Sequence, residues 1–199
     1  LYNKIKVVIS DEVGVGSFGK DMVTDSSLRN AVTAAGYHYS TEDDSAKNFT
    51  ALADKYDKEV WNSEAQATFG NSDYRPNSGT GIGVAGSSLE MANTIVKGFT
   101  DSRRTNFIYQ PAIAAFYEGG QYSSKSVLQA TDPWSGWTNS DVAIDVLAQF
   151  SKFAKLSWEN SDNTSGIWRA VSQASVSTAT GSNNVNGRNG LANYLTLAS

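Results

Sequence analysis

Short apolar runs of β character alternate with apolar stripes at helical spacing from Ile5 to about Ala154, and that alternation limits the fold more than any single motif. Ile5-Lys6-Val7-Val8-Ile9 reads as a buried strand ending in Ser10-Asp11-Glu12, and Leu28, Ala31 and Val32 follow on one helix face. Ala34 to Tyr39 is a second, weaker strand. Phe49, Leu52, Ala53 and Tyr56 fall at i, i+3, i+4 and i+7, which predicts an amphipathic helix ahead of the strand Glu59-Val60-Trp61. Beyond a glycine-rich loop from Gly79 to Gly86, Leu89, Ala92, Ile95, Val96 and Phe99 mark another helix, and Asn106 to Tyr109 another strand. Ser140 is placed to cap a last helix with Val142, Ala143, Val146, Leu147, Phe150, Phe153 and Ala154 on its apolar face.

Strands separated by helices of this length imply βαβ units and a parallel sheet, hence an α/β fold. Four such units make half of an eight-stranded barrel or most of a doubly wound sheet. From Leu156 onward Ser, Thr, Asn and Gly alternate with apolar residues through Ile167 to Val171 and Tyr194 to Leu197, which reads as β-sandwich strands too few to close a sandwich. We therefore expect two units, residues 1–155 and 156–199, each incomplete. The first residue is Leu1 rather than Met and no signal-peptide pattern is visible, so a truncated start is expected.

Charge and composition remove several function classes. The net charge of -4 is scattered and forms no basic stripe, which argues against nucleic acid as a partner. No apolar run approaches the ~20 residues of a spanning helix. Cysteine is absent and His38 is the single histidine, so a thiolate nucleophile, a zinc-thiolate site and a multi-histidine metal cluster are all excluded. Sequons at Asn48-Phe49-Thr50 and Asn163-Thr164-Ser165 permit glycosylation, and a secreted or extracellular protein is the expectation.

Glu64 closes the run Glu59-Val60-Trp61-Asn62-Ser63-Glu64, a carboxylate delivered by a short apolar strand into small polar residues. A nucleophile that attacks a sugar carbon needs such placement, because a rigid strand end orders it in advance. A solvated or salt-bridged loop carboxylate has the same local sequence. Asp11, Glu12, His38 and Tyr109-Gln110 also follow strands, the edge where barrel enzymes keep their chemistry. His38 fits a core position or a sugar contact, and Asp11 and Glu12 fit supporting partners or rim charges. The stretches Phe116 to Tyr122 and Asp132-Pro133-Trp134-Ser135-Gly136-Trp137 interleave rings with polar residues, as a wall stacking on a pyranose does. Such a wall also suits a carbohydrate-binding protein without catalysis. Gly14-Val15-Gly16-Ser17-Phe18-Gly19 satisfies G-x-G-x-x-G, with Glu42, Asp43 and Asp44 about 20 residues on, the pattern of an NAD-dependent oxidoreductase. Two carboxylates, Asp11 and Glu12, stand between strand and glycines and would repel a pyrophosphate; a βα loop is the plainer reading.

In order along the chain, Ile5 to Asp11, Gly36-Tyr37-His38-Tyr39, Val60-Trp61-Asn62-Ser63-Glu64, Phe116-Tyr117-Glu118 and Asp132-Pro133-Trp134-Ser135-Gly136 resemble glycoside hydrolase family 59, the galactocerebrosidase family. The resemblance runs in register from about Ile5 to about Val171. It implies a retaining β-galactosidase with a (β/α)8 TIM barrel, a β-sandwich packed on it and further domains, this chain beginning at the fifth barrel strand. Glu64 then corresponds to the nucleophile at the end of the seventh strand, and the proton donor, a Glu after Asn on the fourth strand, belongs to an upstream segment that completes the barrel. Tyr122 matches a family tyrosine beside the nucleophile, and Trp134, Tyr109, Gln110 and His38 are the expected sugar contacts. The implied partner is a β-galactoside glycan or glycolipid, with no metal or organic cofactor. Ala67 stands where the family has Ser, and Gln110 where it has Trp.

Overall fold

The computed structural model describes residues 5–38, 46–65, 88–116, 127–131, 133–140, 143–154, 167–177 and 193–198. Its first sheet consists of β1 (Val8–Glu12), β2 (Ala34–Tyr37) and β3 (Glu59–Asn62), all parallel in the order β1-β2-β3. The helices α1 (Phe18–Thr24), α2 (Ser26–Ala31) and α3 (Asn48–Tyr56) make the connections. Asp25 accepts from the backbone N–H groups of Ser27 and Leu28, which stops α1 and starts α2 without a longer loop. α3 ends on Asp57, whose left-handed backbone turns its N–H back onto the Ala53 and Leu52 carbonyls.

Alternation along the strands decides which face the helices cover. Ile9, Ala35, Tyr37 and Val60 pack with Met22, Val32, Phe49, Leu52 and Ala53 into one core. The opposite parity, Ser10, Gly36 and Trp61, shares the other face. Phe49 is fully buried, its ring 4.7 Å from that of Tyr37. A Cβ on Gly19 would come within 2.7 Å of the Phe49 ring, so glycine is what lets α1 approach α3 this closely.

β1 begins three residues later than the apolar run suggests. Ile5 and Val7 stay exposed, and the pairing of β1 with β2 extends through Ser10 to Glu12. The segment Asn106 to Tyr109 takes the place of a fourth strand without regular strand geometry. Thr105 and Ile108 donate to the Val60 and Asn62 carbonyls, and Ala65 donates to the Ile108 carbonyl, forming one parallel bridge between Ala65 and Tyr109.

α4 (Ser88–Asp101) buries Ile95 and Phe99 of its expected stripe, together with Met91, in a second core that also holds Val127, Ala143 and Leu147. A second sheet contains β4 (Ile113–Phe116) parallel to β5 (Leu128–Thr131), and β6 (Asn139–Ser140) antiparallel to β5. Two expectations are corrected here. Phe116 is a strand residue rather than part of a loop wall, and Ser140 belongs to β6 while the helix α5 (Ala143–Ser151) starts beyond it. The remaining strands form short antiparallel pairs, β7 (Arg169–Ala170) with β10 (Leu197–Ala198) and β8 (Val176–Ser177) with β9 (Asn193–Tyr194). Ala170, Leu195 and Leu197 pack onto the second core, so these pairs are attached to the α/β layers by apolar burial. Among the described residues no helix is long and apolar enough to cross a membrane.

Candidate active site

The carboxyl ends of β1, β2 and β3 bring Asp11, His38 and Glu64 together. Ser10 pairs with Gly36 but Glu12 pairs with Tyr37, so Asp11 is an extra residue in β1, a β-bulge. Ser10 and Asp11 both hold positive φ, 73° and 51°, a left-handed backbone that costs non-glycine residues about 1–3 kcal/mol each. Aspartate tolerates it better than most, because its short polar side chain can bond locally. The bulged strand is tied to the next one by the His38 N–H, which donates to the Glu12 carbonyl at 2.8 Å.

His38 Nε2 lies 3.0 Å from Asp11 Oδ1, and His38 Nδ1 lies 3.7 Å from Glu64 Oε2. The imidazole is 13% exposed, Glu64 27% and Asp11 64%. The facing Ser63 hydroxyl, although not in a well-aligned hydrogen bond, and then the His38 ring hold the Asp11 carboxyl below the usual carboxylate range, against a smaller opposing effect of burial. A depressed carboxyl stabilises the fold above about pH 4 and loses that contribution as the pH falls through its folded value. Solvent screening at so exposed a group keeps the effect small. The two carboxylates meet different ring nitrogens and do not converge on a common point; among the described residues no cluster of three or more such groups is arranged to hold a metal.

Gly36 makes this approach of strands possible. A Cβ there would lie 2.9 Å from Ser63 Oγ and 3.1 Å from Ser63 Cβ, and Ser63 is too short to swing its Cβ aside. Gly36→Ala is expected to destabilise the protein by about 1–3 kcal/mol, the usual range for an overpacked interior. Urea denaturation checks this, and an unchanged midpoint would show that β3 yields at no cost.

The other expected site residues separate. Gln110 stays close, its N–H donating to the Ala65 carbonyl at 2.7 Å, and its buried Oε1 has no hydrogen-bond partner among the described residues. Tyr109 faces Phe107 and packs on the second core. Tyr109 and Phe107 line part of a cleft of about 760 Å3 with Trp61 and Trp168; Glu64, His38 and Gln110 do not line it, and its charged pair, Lys6 and Glu59, is mutually satisfied at 3.4 Å. Trp134 sits in a 3-10 turn between β5 and β6 and is 83% exposed. Tyr122, Tyr39, Glu42 to Asp44, Ala67, the Gly79 to Gly86 loop, Tyr117, Glu118, Asp132 and the Asn163 sequon lie outside the described residues. The sequon at Asn48 opens α3, where Phe49 is buried.

At the glycine motif, a Cβ on Gly16 would stand 2.9 Å from Glu12 Oε2, and Gly19 is used against Phe49. A carboxylate thus occupies the turn that a pyrophosphate would need. Sequence reasoning missed Ser63 altogether and gave Asp11 no specific partner. An Asp one residue beyond an apolar run, able to adopt the left-handed conformation, was the available signal.

Three comparisons bear on this geometry. The galactocerebrosidase of Danio rerio is 24% identical over 157 residues, 79% of this chain and 21% of that protein, so the chain spans about a fifth of its relative's length. The crystal structure of SrfJ from Salmonella typhimurium superposes with a TM-score of 0.57 at 15% identity, covering 76% of this chain and 33% of that one, a likeness of α/β fold. The model of Glycosyl hydrolase family 59 matches residues 1–152, across all three strand ends that meet at His38, and the chain belongs to that family.

Proposed function

We propose that this chain supplies the nucleophile of a retaining β-galactosidase and that Glu64 is that nucleophile. The observation that carries the reading is the gathering of Asp11, His38 and Glu64 at the carboxyl ends of adjacent parallel strands in a glycosyl hydrolase family 59 chain. In this reading β1, β2, β3 and the extended segment ending at Tyr109 are strands five to eight of a (β/α)8 barrel. The pairs β7–β10 and β8–β9 then open the β-sandwich. Upstream strands complete the barrel and bring a second carboxyl group to about 5 Å from Glu64, the separation a retaining enzyme uses.

A Glu64 oxygen attacks the anomeric carbon while the bond to the leaving oxygen breaks and that oxygen takes a proton from the second carboxyl group. The sugar is then an ester of Glu64. Water attacks the same carbon, gives its proton to the second carboxylate, and the ester bond breaks to return Glu64 as carboxylate. Two displacements at one carbon restore its configuration. The substrate is a terminal β-galactoside of a glycan or glycolipid, a class supported by the relative's name. Proton NMR of the first product from the full-length enzyme tests the reaction: β-galactose appearing before mutarotation supports it, and α-galactose would mean inversion by a different arrangement.

Trp134 is the ring we assign to the sugar face. An 83% exposed indole contributes little to the core, so Trp134→Ala is expected to change stability by under about 0.5 kcal/mol. Loss of a stacking contact worth about 1.4 kcal/mol corresponds to a fall in kcat/KM of about tenfold. Thermal melting and steady-state kinetics on the same preparation check both. A large stability loss with kinetics intact would return Trp134 to a packing role.

A further inference from the structure

We propose that Asp11 is a sugar-binding residue that selects the glycone: its carboxylate accepts a hydrogen bond from a galactose hydroxyl remote from the anomeric carbon. This rests on the reading of Glu64 as nucleophile. The starting observation is what the β1 bulge does to the side chain. Ser10 stands opposite Gly36 and Glu12 opposite Tyr37, so a regular ladder would have set Asp11 itself opposite Tyr37. Directly opposed residues share one face of a sheet, and Tyr37 is fully buried on the face that the helices cover. Without the extra residue the Asp11 carboxylate would be turned to that apolar face. With it, the side chain is 64% exposed at the carboxyl end of β1 and meets His38 Nε2 at 3.0 Å. Bulges re-aim side chains in this way beside active sites.

Ser10 and Asp11 both keep a left-handed backbone that glycine would adopt without strain. Strain retained at a non-glycine residue on a strand end points to a use for its side chain. Charge and bonding capacity identify that use. The Ser63 hydroxyl and then the His38 ring hold the Asp11 carboxyl below the usual carboxylate range, so the group is ionised at neutral pH. An ionised carboxylate only accepts, and it offers about four lone-pair positions. Ser63 and the imidazole take up two of them, and among the described residues no lysine or arginine pairs with Asp11. The remaining capacity suits neutral O–H donors, which a sugar supplies, and such bonds to a carboxylate are roughly twice as strong as neutral ones. Placement then selects the hydroxyl. Asp11 and Glu64 meet opposite sides of one imidazole, at 3.0 Å and 3.7 Å. A pyranose whose anomeric carbon faces Glu64 therefore reaches Asp11 with the far side of its ring, at the 3-, 4- or 6-hydroxyl. The 2-hydroxyl, on the carbon next to the anomeric one, stays near Glu64.

The experiment crosses substitutions with substrates in the full-length enzyme. kcat/KM is measured for an aryl β-galactoside and its 3-, 4- and 6-deoxy analogues in the parent, Asp11→Gly and Asp11→Asn, with melting temperatures. Glycine removes the carboxylate while suiting the left-handed backbone, and asparagine keeps a neutral acceptor on the same backbone. Asp11→Gly is expected to lower kcat/KM on the parent galactoside by about tenfold to a hundredfold, the worth of a hydrogen bond to a charged group, and Asp11→Asn by less. At least one deoxy analogue loses a similar factor in the parent enzyme and less than about twofold more in Asp11→Gly, because the contact it lacks is already gone. A residue that only braces His38 would instead lower all four substrates alike. If the glycine variant does not fold, the same cycle is read from Asp11→Asn. Alongside it, Glu64→Gly is treated with azide, which bonds to the anomeric carbon as the aryloxide leaves. Formation of the α-galactosyl azide, together with a hydroxyl coupled to Asp11, supports the proposal. The azide product with an Asp11 effect that is absent, or uniform across the four substrates, overturns the role of Asp11 and leaves Glu64 as nucleophile. No azide product removes Glu64 itself, and the proposal with it.

Discussion

Glu64→Gln in the full-length enzyme is expected to lower kcat by roughly 10^4- to 10^6-fold, the scale on which removing a nucleophile acts. Glutamine keeps the shape of the side chain and removes the charge that forms the bond to the anomeric carbon. A neutral amide needs less solvation than the carboxylate it replaces, so at a position 27% exposed the fold and the affinity for galactoside should persist. A KM near that of the parent with kcat at background is the expected pattern. A fall of less than tenfold would show that Glu64 is a loop carboxylate and that another group attacks.

Phe49→Ala has the largest expected effect on stability, a loss of about 3–5 kcal/mol, as for other fully buried aromatic side chains. The ring packs on Tyr37 and fills the space that Gly19 leaves open, so the truncated side chain leaves a cavity between α1, α3 and β2 that the backbone cannot close. Tyr37 immediately precedes His38, and loosening of the strand end should also lower kcat in the folded fraction. Urea denaturation of the purified variant measures the first effect. A loss under about 1 kcal/mol would mean that α1 and α3 collapse onto the sheet without their aromatic contact.

The parts of the fold legible in the sequence were those set by local periodicity. Phe49, Leu52 and Ala53 at helical spacing do bury one face of α3, and Val60 enters the same core, because both patterns answer to a single sheet surface. The start of β1 was not legible. Ile5 to Ile9 is the more apolar run, yet pairing with β2 fixes Val8–Glu12, and a bulge carries the ladder three residues beyond the apolar stretch. β4 to β6 are short and poor in β-branched residues, and a serine suits a strand end as well as a helix cap, so neither carried a distinguishing pattern. At the candidate site, Glu64 could be singled out from its strand alone. Its juxtaposition with His38 and Asp11 could not, since it depends on parallel register and on an extra residue whose backbone conformation no apolar pattern encodes.

The most direct measurement of the central claim is to trap the glycosyl-enzyme. The full-length protein is inactivated with a 2-deoxy-2-fluoro-β-galactoside bearing a good leaving group, digested, and the modified peptide sequenced by mass spectrometry. The account predicts a single adduct on Glu64, within the peptide that carries Trp61-Asn62-Ser63. An adduct on any other residue would contradict it.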